Sequence, residues 1–329
     1  MNKVKKISLK EFGIVLVLLA VVMFFSITAS NFLTVSNIRT ILLQVSSVCI
    51  CSLGMMFVLI TGGIDLSVGY LASAVGMLSA FCMVNLGLNG AFSLIVALIF
   101  AEIIGLIQGA LIAYLKVPPF IVTMAFMNIL KGFSYMITSG RAIYDLPGFV
   151  RQIGQGTVLG IPILIILMLV SIVLVGSFAR KVYVGRFFYA VGSNEEAAKL
   201  SGINTNVVKV ATYMISALFA CIAGIVMMGR LATASPNSGD GFEFDVITAC
   251  VLGGVSMSGG KGKEYQVFVG AMIIGVLNNG MIQLHIDTYM QLAIKGLILL
   301  LAVAFDCIQQ RKKKKVNLVD TKGTEEKAK

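Results

Sequence analysis

Nine runs of about twenty predominantly apolar residues constrain this chain more than any other feature in it. They lie at 11–30, 41–60, 68–86, 90–115, 120–138, 159–178, 208–228, 265–283 and 288–308. At a rise of about 1.5 Å per residue, each is long enough as a helix to match the ~30 Å hydrocarbon core of a bilayer. Lipid offers no hydrogen-bond partners, so a backbone that crosses it must satisfy its own N–H and C=O groups. An unbroken apolar run does this as an α-helix. A tenth stretch, DVITACVLGGVSM at 245–257, is shorter and suits a protein-buried span or a re-entrant helix. The 12% charged content agrees, since soluble domains carry about 25%. The predicted fold class is an all-α polytopic membrane protein with about ten transmembrane helices. The first run lacks a small-residue cleavage site before a polar mature domain and reads as a retained span.

The net charge of +11 is concentrated at the two ends, in MNKVKKISLK at 1–10 and RKKKK at 311–315. Such clusters beside apolar runs read as anchors to membrane lipid, not as nucleic-acid contacts. Five cations beside anionic lipid contribute about 5 kcal/mol at about 1 kcal/mol each. With ten crossings and a cytosolic N-terminus, the inner loops hold Lys116, Arg180, Lys181, Arg186, Lys199, Lys209, Lys261 and Lys263. The outer loops then hold only Arg39, Arg141, Arg151 and Arg230. This excess of positive charge inside predicts a multi-pass protein with both termini cytosolic. The expected organisation is a basic N-terminus (1–10), a transmembrane domain (11–308) with a cytosolic loop at 179–209, and a basic disordered tail (309–329).

An internal repeat is also expected. IIGLIQGALI at 103–112 matches IIGVLNNGMI at 273–282, and each is followed by a lysine–glycine pair, NILKGF at 128–133 and LAIKGL at 292–297. Four spans at 41–138 then correspond to four at 208–308. The single span between them, 159–178, inverts the second copy, which is a transporter architecture.

Four constellations stand out. The first is a helix break, ITGGIDLSVG. Gly62 and Gly63 ease departure from the helix, Ser67 is placed to cap the next one, and Asp65 suits its positive end. On the predicted topology this turn lies at the cytosolic side. The second is a set of polar residues inside apolar runs. Glu102, Lys131 and Lys295 each cost about 2.5–3.5 kcal/mol at a helix centre unless they are paired or face water, and Glu102 can neutralise one of the lysines. Asn278 falls in the repeated motif. The third, VLGGVSMSGGKG at 251–262, only superficially looks like a phosphate loop. Val255 stands where the first glycine is needed, and Gly262 where Ser or Thr must follow Lys261. Its small residues suit close helix packing instead. The fourth, NEEAAKLSGI at 194–203, reads as a two-turn helix capped by Asn194 and ended by Gly202, with Glu195 and Glu196 in its first turn. Ala197, Leu200 and Ile203 share one face, and so short a helix needs a surface to dock on. The six cysteines lie in or beside apolar runs with no CxxC pair, and there is one histidine, His285. Neither a metal site nor an enzyme active site is expected.

Taken together, GGIDLSVG at 62–69, AVGSNEEAAKLSGI at 190–203 and GRLATASPNSGDGFEFDVITACVLGGVSMSGGKG at 229–262 closely resemble the membrane-spanning permease subunits of bacterial ABC importers for ribose and related sugars. The resemblance runs from about residue 12 to 308, and three motifs in order make it specific. It implies a subunit of the bacterial plasma (inner) membrane that pairs with a second permease subunit, identical or homologous. It further implies cytosolic ATP-binding partners that hold ATP and Mg, so that this chain itself carries no cofactor, and an extracytoplasmic sugar-binding protein. The segment around Gly192, Asn194, Glu195, Glu196, Ala197, Leu200, Ser201 and Gly202 then becomes the helix that couples to the ATPase. Gly62, Gly63, Asp65, Ser67 and Gly69 become a structured break or gate. Lys131 and Lys199 stand where arginine is common in the family, which keeps the charge and loses the guanidinium fork. Two other readings use the same residues. One is an ion-coupled transporter working through Asp65, Glu102, Lys131 and Lys295. The other is a membrane scaffold binding a partner through 179–209.

Overall fold

The computed structural model describes residues 9–327, with side-chain environments for 13–308. The basic residues 1–8 lie outside the described part. In chain order the helices are α1 (Leu9–Thr28), α2 (Val35–Ile60), α3 (Val68–Val84), α4 (Gly90–Ala113), α5 (Pro119–Met136) and α6 (Gly148–Gln155). A two-stranded hairpin of β1 (Thr157–Val158) and β2 (Ile161–Pro162) follows. After it come α7 (Ile163–Lys181), α8 (Tyr183–Ser193), α9 (Glu195–Leu200), α10 (Thr205–Leu231), α11 (Phe242–Gly253), α12 (Glu264–Gln283) and α13 (Thr288–Lys327). The chain is an all-α polytopic membrane protein. Each of the ten apolar stretches falls on a helix, and α2, α4, α7, α10, α12 and the 288–308 part of α13 are long and apolar enough to cross a bilayer.

Local chemistry moves several boundaries from their expected places. The α2 helix starts at Val35 because the Thr34 side chain accepts the Asn37 N–H and draws the polar SNIRT stretch into the first turns. The loop at 179–209 folds into α8, α9 and the first turn of α10. The expected disordered tail is corrected. The backbone stays helical to Lys327, because lysine is a good helix former and the span supplies an existing nucleus from which the helix propagates.

The apolar α2 helix is hydrophobic all round and forms the centre of the bundle, its C-terminal half fully enclosed. It packs against α10, α11, α12 and α7. Close approach depends on small residues: a Cβ on Gly54 would strike Phe219 of α10, and one on Gly224 would strike the Ala72 carbonyl.

Helix neighbours are arranged alike in the two stretches that carry the matched motifs. Helix α4 packs on α10 as α12 packs on α2, α3 on α10 as α11 on α2, and α5 on α3 as α13 on α11. The matched motifs make matched contacts. Gly105 faces Tyr213 and Ala217 of α10, while Gly275 faces Val45 and Ile41 of α2. Gln108 donates to Ser67 just before α3 (2.9 Å), while its counterpart Asn278 donates to Asp245 in the first turn of α11 (3.2 Å).

Helices α3 and α11 both begin inside the protein, not at its surface. After α2 ends, Gly62 turns in a left-handed conformation (φ 79°) and the chain runs inward to Ser67. After α10 ends, a left-handed Ala232 starts a segment that folds back along α3 until Gly239 N–H reaches Ser73 Oγ (2.6 Å). Ser67, Val68, Phe242 and Glu243 are all buried.

Candidate functional site

The three motifs that stood apart in the sequence meet at one backbone atom. The carbonyl oxygen of Ile60, the last residue of α2, accepts the N–H of Gly260 (2.8 Å). Gly192, at the end of α8, lies against the same carbonyl so closely that a Cβ there would overlap it. Gly259 and Gly260 both have left-handed φ (86° and 72°), which bends the 256–262 turn over the end of α2. Around this point the Tyr189 hydroxyl donates to the Gly262 carbonyl (2.9 Å), Arg180 pairs with Glu264, and Phe57 packs edge-on to Phe178 and Phe188 (5.9 and 5.1 Å). Burial pushes the Tyr189 phenol above its ordinary range. Helix α8 is therefore locked to the ends of α2, α7 and α12. Small residues in the 251–262 stretch do serve close packing, as at Gly253 against the Gln266 carbonyl.

From this anchored base α9 projects outward. Asn194 caps it by accepting the Ala197 N–H (3.0 Å), and Gly202 ends it in a left-handed turn. Glu195 pairs with Lys209 at the start of α10 (2.7 Å). Only Ala198 turns inward. Glu196, Ala197, Lys199 and Ser201 are exposed, and Leu200 is 90% exposed. Of the expected apolar face, Ala197 and Leu200 thus point away from the chain's own bundle, while Ile203 is half-buried and packs on its core.

The helix break is enclosed by protein. Asp65 is 1% exposed. One carboxylate oxygen accepts the Ser67 N–H (3.0 Å) and hydroxyl (2.6 Å), and the other accepts the Ser216 hydroxyl from α10 (2.8 Å). Ser67 makes no capping bond to α3, because its hydroxyl is spent on Asp65 and Gln108. The inward course of 61–67 places Asp65 against the interior of α10. Gly63 lies under the Tyr213 hydroxyl, and Gly69 against Glu243 and the Gly239 carbonyl, with no room for a side chain at either position.

The intramembrane polar residues divide into two sets. Lys295 pairs with Asp245 (2.9 Å), which also accepts from the Asn278 amide nitrogen, so those residues form one cluster between α11, α12 and α13, in which Asn278 Oδ1 alone keeps no partner. Lys131 lies on the exposed face of α5, 5.1 Å from the ring centroid of Tyr70. The Tyr70 hydroxyl donates to Asp240 (3.1 Å). Glu102 is corrected as an ion-pair partner: it is half-buried on α4 and bonds to neither lysine, whose neighbours lie on α3 and α11 instead. Among the described residues no cluster of three or more metal-ligating side chains occurs. Sequence reasoning missed Ile60, Tyr70, Asp240, Glu243 and Asp245. The signal for the last three was present, as three acids within six residues ahead of an apolar stretch. Glu243 is 3% exposed and keeps Oε2 without a partner.

With this geometry in hand, comparison with known proteins is informative. A family described as branched-chain amino acid transport system / permease component matches residues 37–303. The ribose import permease protein RbsC of Escherichia coli K12 is 37% identical over 297 residues, covering 88% of this chain and 91% of its own. RbsC of Bacillus subtilis 168 is 38% identical over 301 residues, covering 91% and 93%. The xylose transport system permease protein XylH of Escherichia coli K12 is 32% identical over 370 aligned positions, covering 94% of each. No solved structure matches the chain.

Proposed function

This chain belongs to the permease-component family, and from that premise we propose that it is the membrane-spanning subunit of an ATP-driven importer of a monosaccharide such as ribose or xylose. The observation that carries the proposal is the anchored, outward-facing α9. Its base is wedged between the end of α2 and the turn before α12, and its apolar Leu200 is left to another protein. That is the construction needed to transmit a partner's movement into the bundle. ATP and Mg are held by that partner, and an extracytoplasmic binding protein delivers the sugar.

The chain crosses the inner membrane ten times, with both termini in the cytosol. Supporting this, Arg180, Arg186, Lys199, Lys209 and Lys263 gather at the end where α8 and α9 lie. The pathway forms with a second permease subunit. Movement of an ATPase against α9 displaces α8, which touches the Ile60 carbonyl and through it the Gly62–Gly69 break. The adjoining half-helix α3 shifts with the break, and access alternates between the two sides. The permease performs no bond chemistry of its own.

Reconstitution in liposomes with ATPase and binding-protein partners tests this reading. Uptake of labelled ribose or xylose is expected only with all components and ATP. Uptake without the ATPase that an ionophore abolishes would point to the ion-coupled alternative, and no uptake in any combination would favour the scaffold.

A further inference from the structure

The two lysines of the repeat are an internal comparison. Both follow the matched glycine motif, both lie on the last helix of their half, and both reach the start of a half-helix, α3 or α11. Lys295 finds a carboxylate there and is neutralised. Lys131 finds the ring of Tyr70, has no ion-pair partner among the described residues, and is exposed. A lysine exposed on a spanning helix faces a water-filled path or another protein, because facing lipid costs several kcal/mol, about 2.5–3.5 on insertion scales.

It does not stand alone. Asn128, Lys131 and Tyr135 recur at i, i+3 and i+7 and form one exposed polar stripe along α5. The adjacent stripe, Ile129 and Met136 at i and i+7, is exposed and apolar, as a lipid-facing surface should be, while Met124 and Ile121 continue the first stripe toward the start of α5. Asn128 stands about 14 Å from the start of α5, close to the middle of the helix at 1.5 Å per residue. The Asn128 amide nitrogen donates to the Met124 carbonyl of its own helix (3.0 Å), which leaves its side-chain oxygen to the outside. Asp240 and Tyr135 lie within electrostatic reach of the Lys131 ammonium, and Asp240 is exposed beside it. Phe244, 49% exposed in the first turn of α11, adds an apolar surface.

We infer that Asn128, Lys131, Tyr135 and Asp240 form the sugar-contacting site of the translocation path, with Phe244 at its edge. The inference rests on the importer reading above. The chemistry suits a neutral polyhydroxylated ligand. One cation and one anion offset each other, so neither a carboxylate nor an amine is selected. An amide oxygen, a phenol, a carboxylate and an ammonium supply both donors and acceptors to sugar hydroxyls, and the aromatic rings suit the C–H face of a monosaccharide ring.

The test uses the complete reconstituted complex with Cys307, the one exposed cysteine among the described residues, changed to serine. Single variants Asn128→Cys, Tyr135→Cys and the apolar-stripe control Ile129→Cys are treated with a water-soluble thiol reagent. The first two are expected to react about tenfold faster than the control, because a thiolate forms only in water. Millimolar ribose or xylose with loaded binding protein is expected to slow them severalfold. Lys131→Met is expected to lower uptake about tenfold while the complex still hydrolyses ATP, with Lys131→Arg recovering most of it. If the unsubstituted complex imports sugar but the stripe reacts no faster than Ile129→Cys, or sugar gives no protection, the site assignment is overturned and the importer reading stands. If the unsubstituted complex imports nothing, the importer reading fails, and sugar-insensitive labelling in the same complex overturns the site as well.

Discussion

The Lys295–Asp245 pair can be separated energetically from Lys131 by a double-mutant cycle. Lys295→Met removes the cation and leaves the Asp245 carboxylate, 12% exposed, with Asn278 and the N-terminal turn of α11 as its remaining partners. Breaking a buried pair in this way costs about 3–5 kcal/mol, and the partial exposure of Lys295 places this case near the lower end, about 3 kcal/mol. Asp245→Asn strands the Lys295 ammonium instead, and a lone cation at a helix centre costs about 2.5–3.5 kcal/mol on insertion scales. The double variant has no stranded charge and should return to within about 1 kcal/mol of the parent. The two single losses sum to about 6 kcal/mol, so a coupling energy of about 5 kcal/mol in favour of the pair is expected, against the few tenths seen for independent sites. Reversible unfolding of the purified permease in mixed micelles, titrated with a denaturing detergent, measures all four corners. Lys131→Met measured alongside should change stability by less than about 1 kcal/mol, because no partner is left unsatisfied. Additive single variants, with coupling below about 0.5 kcal/mol, would refute the claim that the pair is one structural unit.

Three further outcomes are expected. Gly192→Ala forces a Cβ into the Ile60 carbonyl, an overpacking worth about 1–3 kcal/mol, and should lower the thermal unfolding temperature and sharply reduce ATP-driven uptake. Parental values for both would show that α8 is not wedged there. Glu196→Arg alters an exposed side chain of α9, so the protein should fold normally while ATPase activity is uncoupled from uptake; normal coupling would contradict α9 as the docking helix. Asp65→Asn replaces one of the accepting carboxylate oxygens with a donor, which leaves Ser67 or Ser216 without its acceptor and should cost about 1–3 kcal/mol in the same detergent titration.

The parts of this fold legible in the sequence are those governed by the bilayer. Length and hydropathy decide where a helix can cross, so all ten apolar stretches became helices. Local capping is equally short-ranged, and Asn194 and Gly202 bound α9 where a two-turn helix was expected. What is not legible is depth. The topology puts the turn that holds Asp65 at the cytosolic side and says nothing of how far into the protein it runs. Nothing local says that the connection runs inward to an α10 serine 151 positions away. The same limit applied to the lysines. NILKGF and LAIKGL differ little as strings, and the difference in fate lies in what the opposing half-helix presents: Tyr70 on α3, Asp245 on α11. The two stretches share a pattern of helix neighbours, and the residues at their interior helix starts differ. One half closed its charge into a structural pair. The other leaves Lys131 exposed on α5 beside Tyr70, because the α3 start offers it a ring and not a carboxylate.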